Sequence, residues 1–466
     1  MTEKDSSIGS MMEHANHELC VTKGTNMRPH TAIIGAGIAG LSAAYELQKA
    51  GLSSVVLEKE GFVGGRMSSE LLEGFVIDRA AYTLPEFHRS LVGFIEGLGM
   101  KDSLVQTPAT SSTFAGKREH QIKIGRPTDF LKYKLLSAKN KKDMIKLFVY
   151  AQSLGRSLNL KQPSEKTFAL ELETAAEFLL KHYDKEILER VAYPIFCELF
   201  LGTPENNSIV AFLAIIRNLT RFKIFSLDKG MGLVCDRVAS ELNVRLHSPV
   251  LAVSKQRTQA GYEVHVGGSN PETLCCDAVI FTVPPPIIPH ILESISTEMA
   301  DLFRGVRYAP SIVVALATER RYNNTSMINN LGREDNRVVG TMVFDHHKGP
   351  KRVPEGKGLA TAILREEASR ALFHESDEKI IGETVKDIDA LFSAFSDGVL
   401  FARVYRWEHG AVQLPPGALA RQVAARTTLE REFHDIHFAG DGFYQASLEV
   451  SHKSGISAAR RIIAAS

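Results

Sequence analysis

The sequence predicts an α/β fold: a mostly parallel sheet with a β-hairpin insert, accompanied by a discontinuous α+β unit. Three observations carry this. The stretch Thr31-Ala-Ile-Ile-Gly35-Ala-Gly37-Ile-Ala39-Gly40 reads as a buried strand, a glycine turn and the start of a helix. A second strand, Ser54 to Leu57, follows the helix and ends in an acid, Glu58. Short apolar runs recur far along the chain, at Asp277-Ala-Val-Ile-Phe-Thr-Val283 and Ile436-His-Phe-Ala-Gly440, and suit parallel strands buried on both faces.

Each part of the first unit has a physical reason. Gly35 lets the chain leave the strand sharply, Gly37 lets backbone N–H groups approach a pyrophosphate, and Gly40 lets the helix pack close to the strand. The helix N-terminus offers unpaired N–H donors and a partial positive charge to the phosphates. Leu41, Ala44 and Tyr45 form one apolar face, and Gly51 stops the helix. Glu58 stands about 20 residues beyond the glycines, where a dinucleotide fold puts its ribose-binding acid. The unit is therefore predicted to be Rossmann-like and dinucleotide-binding.

Composition excludes several classes. With 466 residues and a net charge of +1, the chain is an ordinary globular protein with room for two or three domains, and it lacks the basicity of a nucleic-acid binder. Five cysteines show no metal-ligand spacing, and the vicinal pair Cys275-Cys276 reads as buried strand residues. Residues 1–29 lack the apolar run of a secretory signal and read as a disordered tail. A cytoplasmic location is expected.

Behind Glu58 and Lys59 comes a second glycine loop, Gly61-Phe-Val-Gly64-Gly65-Arg66. The succession of G-x-G-x-x-G, acid and G-G-R resembles the flavin-binding signature of the amine oxidase, protoporphyrinogen oxidase and carotenoid desaturase superfamily. The resemblance runs from residue 31 to 466 in order and spacing, strongest at the two ends. It implies FAD, held non-covalently by Gly35, Gly37, Ala39, Gly40, Glu58, Lys59, Gly65 and Arg66. It further implies that the Val250 backbone meets the adenine, that Gly440-Asp441 accepts from the ribityl chain, and that the Leu448 N–H donates to a flavin carbonyl. Ser447 is a suitable N-cap for that last helix. Trp407, Tyr405 and His409 are candidate pocket residues, since Trp407 is the only tryptophan and large enough to wall a flavin.

The sequence departs from the family pattern at three places. Asp78 is followed by Arg79-Ala80-Ala81 where glycine is usual, Val450-Ser451 replaces Gly-Ala, and the run Tyr308 to Leu316 has no Lys, with Val313 or Val314 at the position where many amine oxidases carry one. By the same resemblance, the missing lysine leans toward dehydrogenation of a ring-containing or lipophilic small molecule, with O2 or another electron acceptor, while the Asp78 loop and Val450-Ser451 are what an inactive module would show. Alternatives are oxidative deamination of an amine, a redox-neutral flavin isomerase or mutase, and an inactive FAD-binding module. The expected division is a cofactor domain from 30–86, 226–300 and 401–466, and a substrate domain from 87–225 and 301–400. Residues 87–225 read as mostly helical. Residues 132–146 carry six lysines among apolar residues, a solvated face that is also a candidate patch for peripheral membrane contact.

Overall fold

The computed structural model describes residues 30–123, 131–158, 160, 163–218, 223–257, 260–292, 296–322, 326–333 and 337–466. The tail at 1–29 lies outside them. A five-stranded sheet runs in the order Val244–Arg245, Ser54–Leu57, Thr31–Ile34, Ala278–Phe281, Ile436–Phe438, every neighbouring pair parallel. Its residues alternate between two apolar layers. Ile33, Val56 and Ile280 face a layer with Leu41 and Leu47, while Ile34, Val55 and Phe281 face a layer with Val253 and Phe303. Burial on both faces is why these strands read as continuous apolar runs.

Helix Ile38–Lys49 packs against the C-terminal helix Leu448–Ala465. Two glycines set that approach. A Cβ on Gly40 would meet the Gly35 carbonyl at 2.1 Å, and one on Gly455 would meet the Ala39 carbonyl at 2.1 Å. Ser454, next to Gly455, receives the Gly440 N–H at 2.8 Å and so ties this helix to the end of the last strand. The expected hairpin is a three-stranded antiparallel sheet: Val250–Lys255 and Tyr262–Val266 are joined by Glu272–Cys276, which carries the buried Cys275 and Cys276.

A second large sheet has seven strands, in the order Val399–Val412, Tyr308–Thr318, Gly358–Leu364, Val339–Phe344, Ile328–Leu331, Thr110–Ala115, Arg118–Lys123. All pairs are antiparallel except Ile328–Leu331 with Thr110–Ala115. The sheet gathers strands from segments far apart in the chain. Residues 87–225 supply helices but also strands, because Thr110–Ala115 carries polar residues without an alternating apolar pattern. Its buried Ser111 and Ser112 are paired with Asn330 and Ser326 instead. Strand Val399–Val412 belongs to this sheet through its pairing with Tyr308–Thr318. A helical layer, including Ala138–Leu154, Ala175–His182, Tyr193–Phe200 and Ile209–Asn218, packs around Phe196, Phe212 and Leu213. No helix among the described residues is long and apolar enough to cross a membrane.

A buried ionic network stands where hairpin Ser69–Leu72/Phe75–Asp78 meets the turn after Val339–Phe344. Asp78, Asp345, Lys348 and Arg352 are all at most 1% exposed. Asp78 takes Lys348 at 3.1 Å and Arg352 at 3.0 Å on one oxygen, and Ser69 Oγ and the Met231 N–H on the other. Asp345 takes Lys348 and the Thr361 hydroxyl. Burial alone would raise the Asp78 pKa, but Arg352 and Lys348 outweigh it and bring it down to about 2. Asp78 is thus committed to protein partners, which accounts for its chemistry where the family's usual glycine is missing.

Candidate active site

A cavity of about 590 Å³ lies between the two large sheets. One end is formed by the glycine turn and two helix N-termini. Gly37, Ile38 and Ala39 open helix Ile38–Lys49, and Ser447, Leu448 and Glu449 open helix Leu448–Ala465; all six line the cavity. Neither helix has a side-chain cap. The expected N-cap, Ser447, instead directs its hydroxyl to His88 Nε2 at 3.3 Å. Two sets of first-turn N–H donors therefore face one space, and both dipoles favour electron-rich groups there. A Cβ on Gly37 would meet no protein atom within 4 Å, so the space over the turn is open.

Glu58 ends its strand against this turn. One carboxylate oxygen accepts the Ala36 N–H at 2.7 Å and the other accepts the Glu60 N–H at 3.0 Å. A carboxylate has about four lone-pair sites, so acceptor capacity remains for two hydroxyls. Val250 opens the neighbouring sheet, two residues beyond the Ser248 N–H that bonds the Glu58 carbonyl at 2.8 Å. Lys59 is largely exposed and pairs with Glu60. Neither Val250 nor Lys59 is among the residues that line the cavity.

Arg66 and Asp441, treated separately in the sequence, form a single unit. The guanidinium donates to both Asp441 oxygens at 2.9 and 2.8 Å and to the Gly410 carbonyl at 3.0 Å. The Tyr308 hydroxyl adds a longer bond to Asp441 at 3.4 Å. Burial opposes the Arg66 charge, but Asp441 more than offsets it and the pKa is raised. Gly37, Ala39, Arg66, Gly440, Asp441 and Leu448 all line the cavity. Gly35, with φ of +103°, Gly40, Glu58 and Gly65 are not among the lining residues.

The three aromatic candidates lie elsewhere on strand Val399–Val412. Trp407 donates its indole N–H to the Arg79 carbonyl at 3.0 Å, Tyr405 donates to Glu70 at 2.6 Å, and His409 packs on Tyr308. None is among the lining residues; Gly410 and Ala411 of the same strand are. Strand alternation, set by a pairing with Tyr308–Thr318 that shifts register between Ala309 and Ser311, decides this.

The far end of the cavity is apolar, with Leu158, Leu160, Leu199, Leu201, Ile215 and Val313 in its wall. Of Val313 and Val314, Val313 is among the residues that line the cavity. Two polar side chains that sequence reasoning missed also face it: Tyr82 and Glu198. A local signal existed for Glu198, an acid inside the otherwise apolar helix Tyr193–Phe200.

A family profile described as flavin containing amine oxidoreductase matches residues 38–463. The chain belongs to this family and is an FAD-dependent oxidoreductase. It is 23% identical to the mitochondrial protoporphyrinogen oxidase of Nicotiana tabacum, over 93% of this chain and 94% of that protein. It is 21% identical to coproporphyrinogen III oxidase of Bacillus subtilis, over 89% and 94%. Among solved structures, putrescine oxidase with putrescine bound superposes with a TM-score of 0.75 at 19% identity, covering 95% of this chain and all of that one. Cyclohexylamine oxidase from Brevibacterium oxydans superposes with a TM-score of 0.73 at 18% identity, covering 94% and 99%. The enzymes share the fold, and the chain dehydrogenates a small-molecule substrate.

Proposed function

We propose that the enzyme binds FAD non-covalently and removes hydride from a ring-containing or lipophilic small molecule, with O2 or another acceptor taking the electrons. The observation that carries this reading is one continuous cavity with two uncapped helix N-termini at one end and an apolar wall at the other. Bound FAD supplies the hydride acceptor.

The first-turn N–H groups after Gly37 hold the diphosphate, Glu58 accepts from the ribose hydroxyls, and the Val250 backbone lies toward the adenine. Asp441, fixed by Arg66, accepts from the ribityl hydroxyls. The Leu448 N–H donates to the ring carbonyl, where the helix dipole favours the negative charge that accumulates on reduction. The apolar wall orients the substrate and excludes water. No cysteine is among the described residues that line the cavity, which supports the absence of a cysteinyl link.

We assign the five-stranded and three-stranded sheets to cofactor binding, and the seven-stranded sheet with the helical layer to the substrate. The boundary before the last segment then falls near 412, not 400. We also propose that residues 132–146 touch anionic membranes. In support, Ile145 and Val149 are exposed one turn apart on the lysine-bearing helix Ala138–Leu154. Co-sedimentation with phosphatidylglycerol vesicles that does not weaken when these lysines are neutralised would remove that assignment.

The cofactor reading is tested by the visible spectrum of the purified protein and by FAD in the supernatant after heat denaturation. A colourless protein that FAD cannot reconstitute sinks it. Arg66→Met should lower FAD retention on dialysis by at least tenfold, because Asp441 is left buried without its cation.

A further inference from the structure

Two acids other than Asp441 and Glu198 deserve exclusion first as cavity groups. Glu449 accepts the Ser90 and Leu91 N–H groups at 3.1 and 2.9 Å, at the start of helix Arg89–Gly97, and has Lys453 at 3.9 Å. Asp78 belongs to the ionic network, away from the lining residues. Asp441 is held by Arg66.

Glu198 differs from all of these. It sits on helix Tyr193–Phe200, surrounded by protein, and keeps accessible surface toward the cavity it lines. Its partners among the described residues are neutral. The Tyr82 hydroxyl donates to Oε1 at 3.2 Å and the Asn330 amide donates to Oε2 at 3.1 Å. The Asn330 orientation is itself fixed, since Thr341 donates to its carbonyl oxygen at 2.9 Å. Each Glu198 oxygen therefore has one protein donor and a second acceptor position left over. Lys348 comes within 5.1 Å of the Tyr82 ring centroid, but its ammonium is taken by Asp78 and Asp345. Leu199, Phe200 and Leu201 follow Glu198 in the cavity lining, and an acid beside apolar groups is costly unless a partner completes it.

Resting on the oxidoreductase reading above, we propose that Glu198 is the specificity-determining anchor of the substrate chamber, accepting a hydrogen bond from an N–H group on an otherwise apolar substrate. Burial holds the Glu198 pKa above the ordinary 4.5, opposed by the bonds from Asn330 and Tyr82, and no cation pairs with it among the described residues. The chemistry accommodates either a protonated amine, which would bring the missing charge, or a neutral ring N–H. Tyr82 and Asn330 act as positioning residues, holding the two oxygens toward the chamber.

The experiment uses the flavin-loaded protein and three probes: benzylamine for the cation, indole for the neutral ring N–H, and 1-methylindole as a ring with no N–H. Binding is read from perturbation of the flavin absorption and, independently, from the shift in melting temperature. If a cation is the native partner, Glu198→Gln weakens benzylamine at least tenfold and leaves indole within about twofold, since an amide carbonyl still accepts. If the partner is a ring N–H, indole binds the wild type more tightly than 1-methylindole does and Glu198→Leu removes that preference. In both cases 1-methylindole binding is unchanged by Glu198→Gln. The proposal is overturned if neither benzylamine nor indole binds the wild type better than 1-methylindole, or if both substitutions leave both affinities within twofold. A protein without flavin whose melting temperature still rises with benzylamine in a Glu198-dependent manner would separate failure of the cofactor reading from failure of this one.

Discussion

Asp78 and Glu198 are both acids set within the protein, and Tyr82 links their surroundings. Glu198 accepts the Tyr82 hydroxyl, while Lys348, bound to Asp78, lies beside the Tyr82 ring. Their surroundings differ in partners and in access, since Asp78 is buried and Glu198 is half-buried. Asp78 faces two cations, a hydroxyl and a backbone N–H, and its pKa falls to about 2. Glu198 faces only a hydroxyl and an amide, and its pKa rises. Burial pushes both carboxyls up, and only where cations outweigh it, as at Asp78, does the pKa fall. A saturated acid joins two parts of a fold, whereas an acid with unused acceptor positions beside a cavity is available to a ligand.

The contrast is broken most directly at the saturated end. Asp78→Ala leaves Lys348 and Arg352 buried beside a single acid, Asp345, and should cost about 3–5 kcal/mol in chemical denaturation. A cost below about 1 kcal/mol would mean that the network does not hold the hairpin to the second sheet. The double-mutant cycle of Asp78→Ala with Lys348→Met should next give a coupling of about 1–3 kcal/mol, because the second change removes a charge that the first has left unpaired. Additive costs would show that the two groups act separately.

Acid titration sharpens the comparison further. The folded pKa of Asp78 is depressed from 3.8 to about 2. Its contribution is thus complete above about 4 and lost as the pH falls through 2. This is a loss of about 2 kcal/mol that Asp78→Asn should not show. Glu198 has the opposite sign. Its folded pKa is raised, so the wild type loses stability as the pH climbs from 4.5 toward that pKa. Glu198→Gln should cost less than about 1 kcal/mol at low pH and become relatively more stable as the pH rises. A stability difference that is flat with pH would show that burial does not raise the Glu198 pKa.

The nucleotide end of the site was legible because its signals are local. A glycine turn and a Gly-Gly-Arg loop depend on backbone conformations that few residues adopt, and a strand-ending acid follows by spacing, so order and spacing alone singled out Gly35, Gly37, Glu58, Arg66 and Gly440-Asp441 as candidates. The same reading went astray where packing decides. Trp407, Tyr405 and His409 were chosen for residue type, yet the register with Tyr308–Thr318 puts Gly410 and Ala411 in the cavity wall instead. Strand Thr110–Ala115 was hidden because its buried face is polar and is satisfied only by distant partners. Ser447 has the composition of a helix cap, but His88, a remote residue, takes its hydroxyl.

By itself, then, the sequence determined the parallel sheet and the elements that open toward a dinucleotide, since strand burial and glycine conformations are written in short stretches of chain. The tertiary structure alone decided which residues share a cavity, that Arg66 holds Asp441, that Asp78 is saturated, and that Glu198 is not. Those outcomes depend on contacts between segments hundreds of residues apart, where the side chain that arrives across the gap, and not the residue's own type, fixes charge, partner and access.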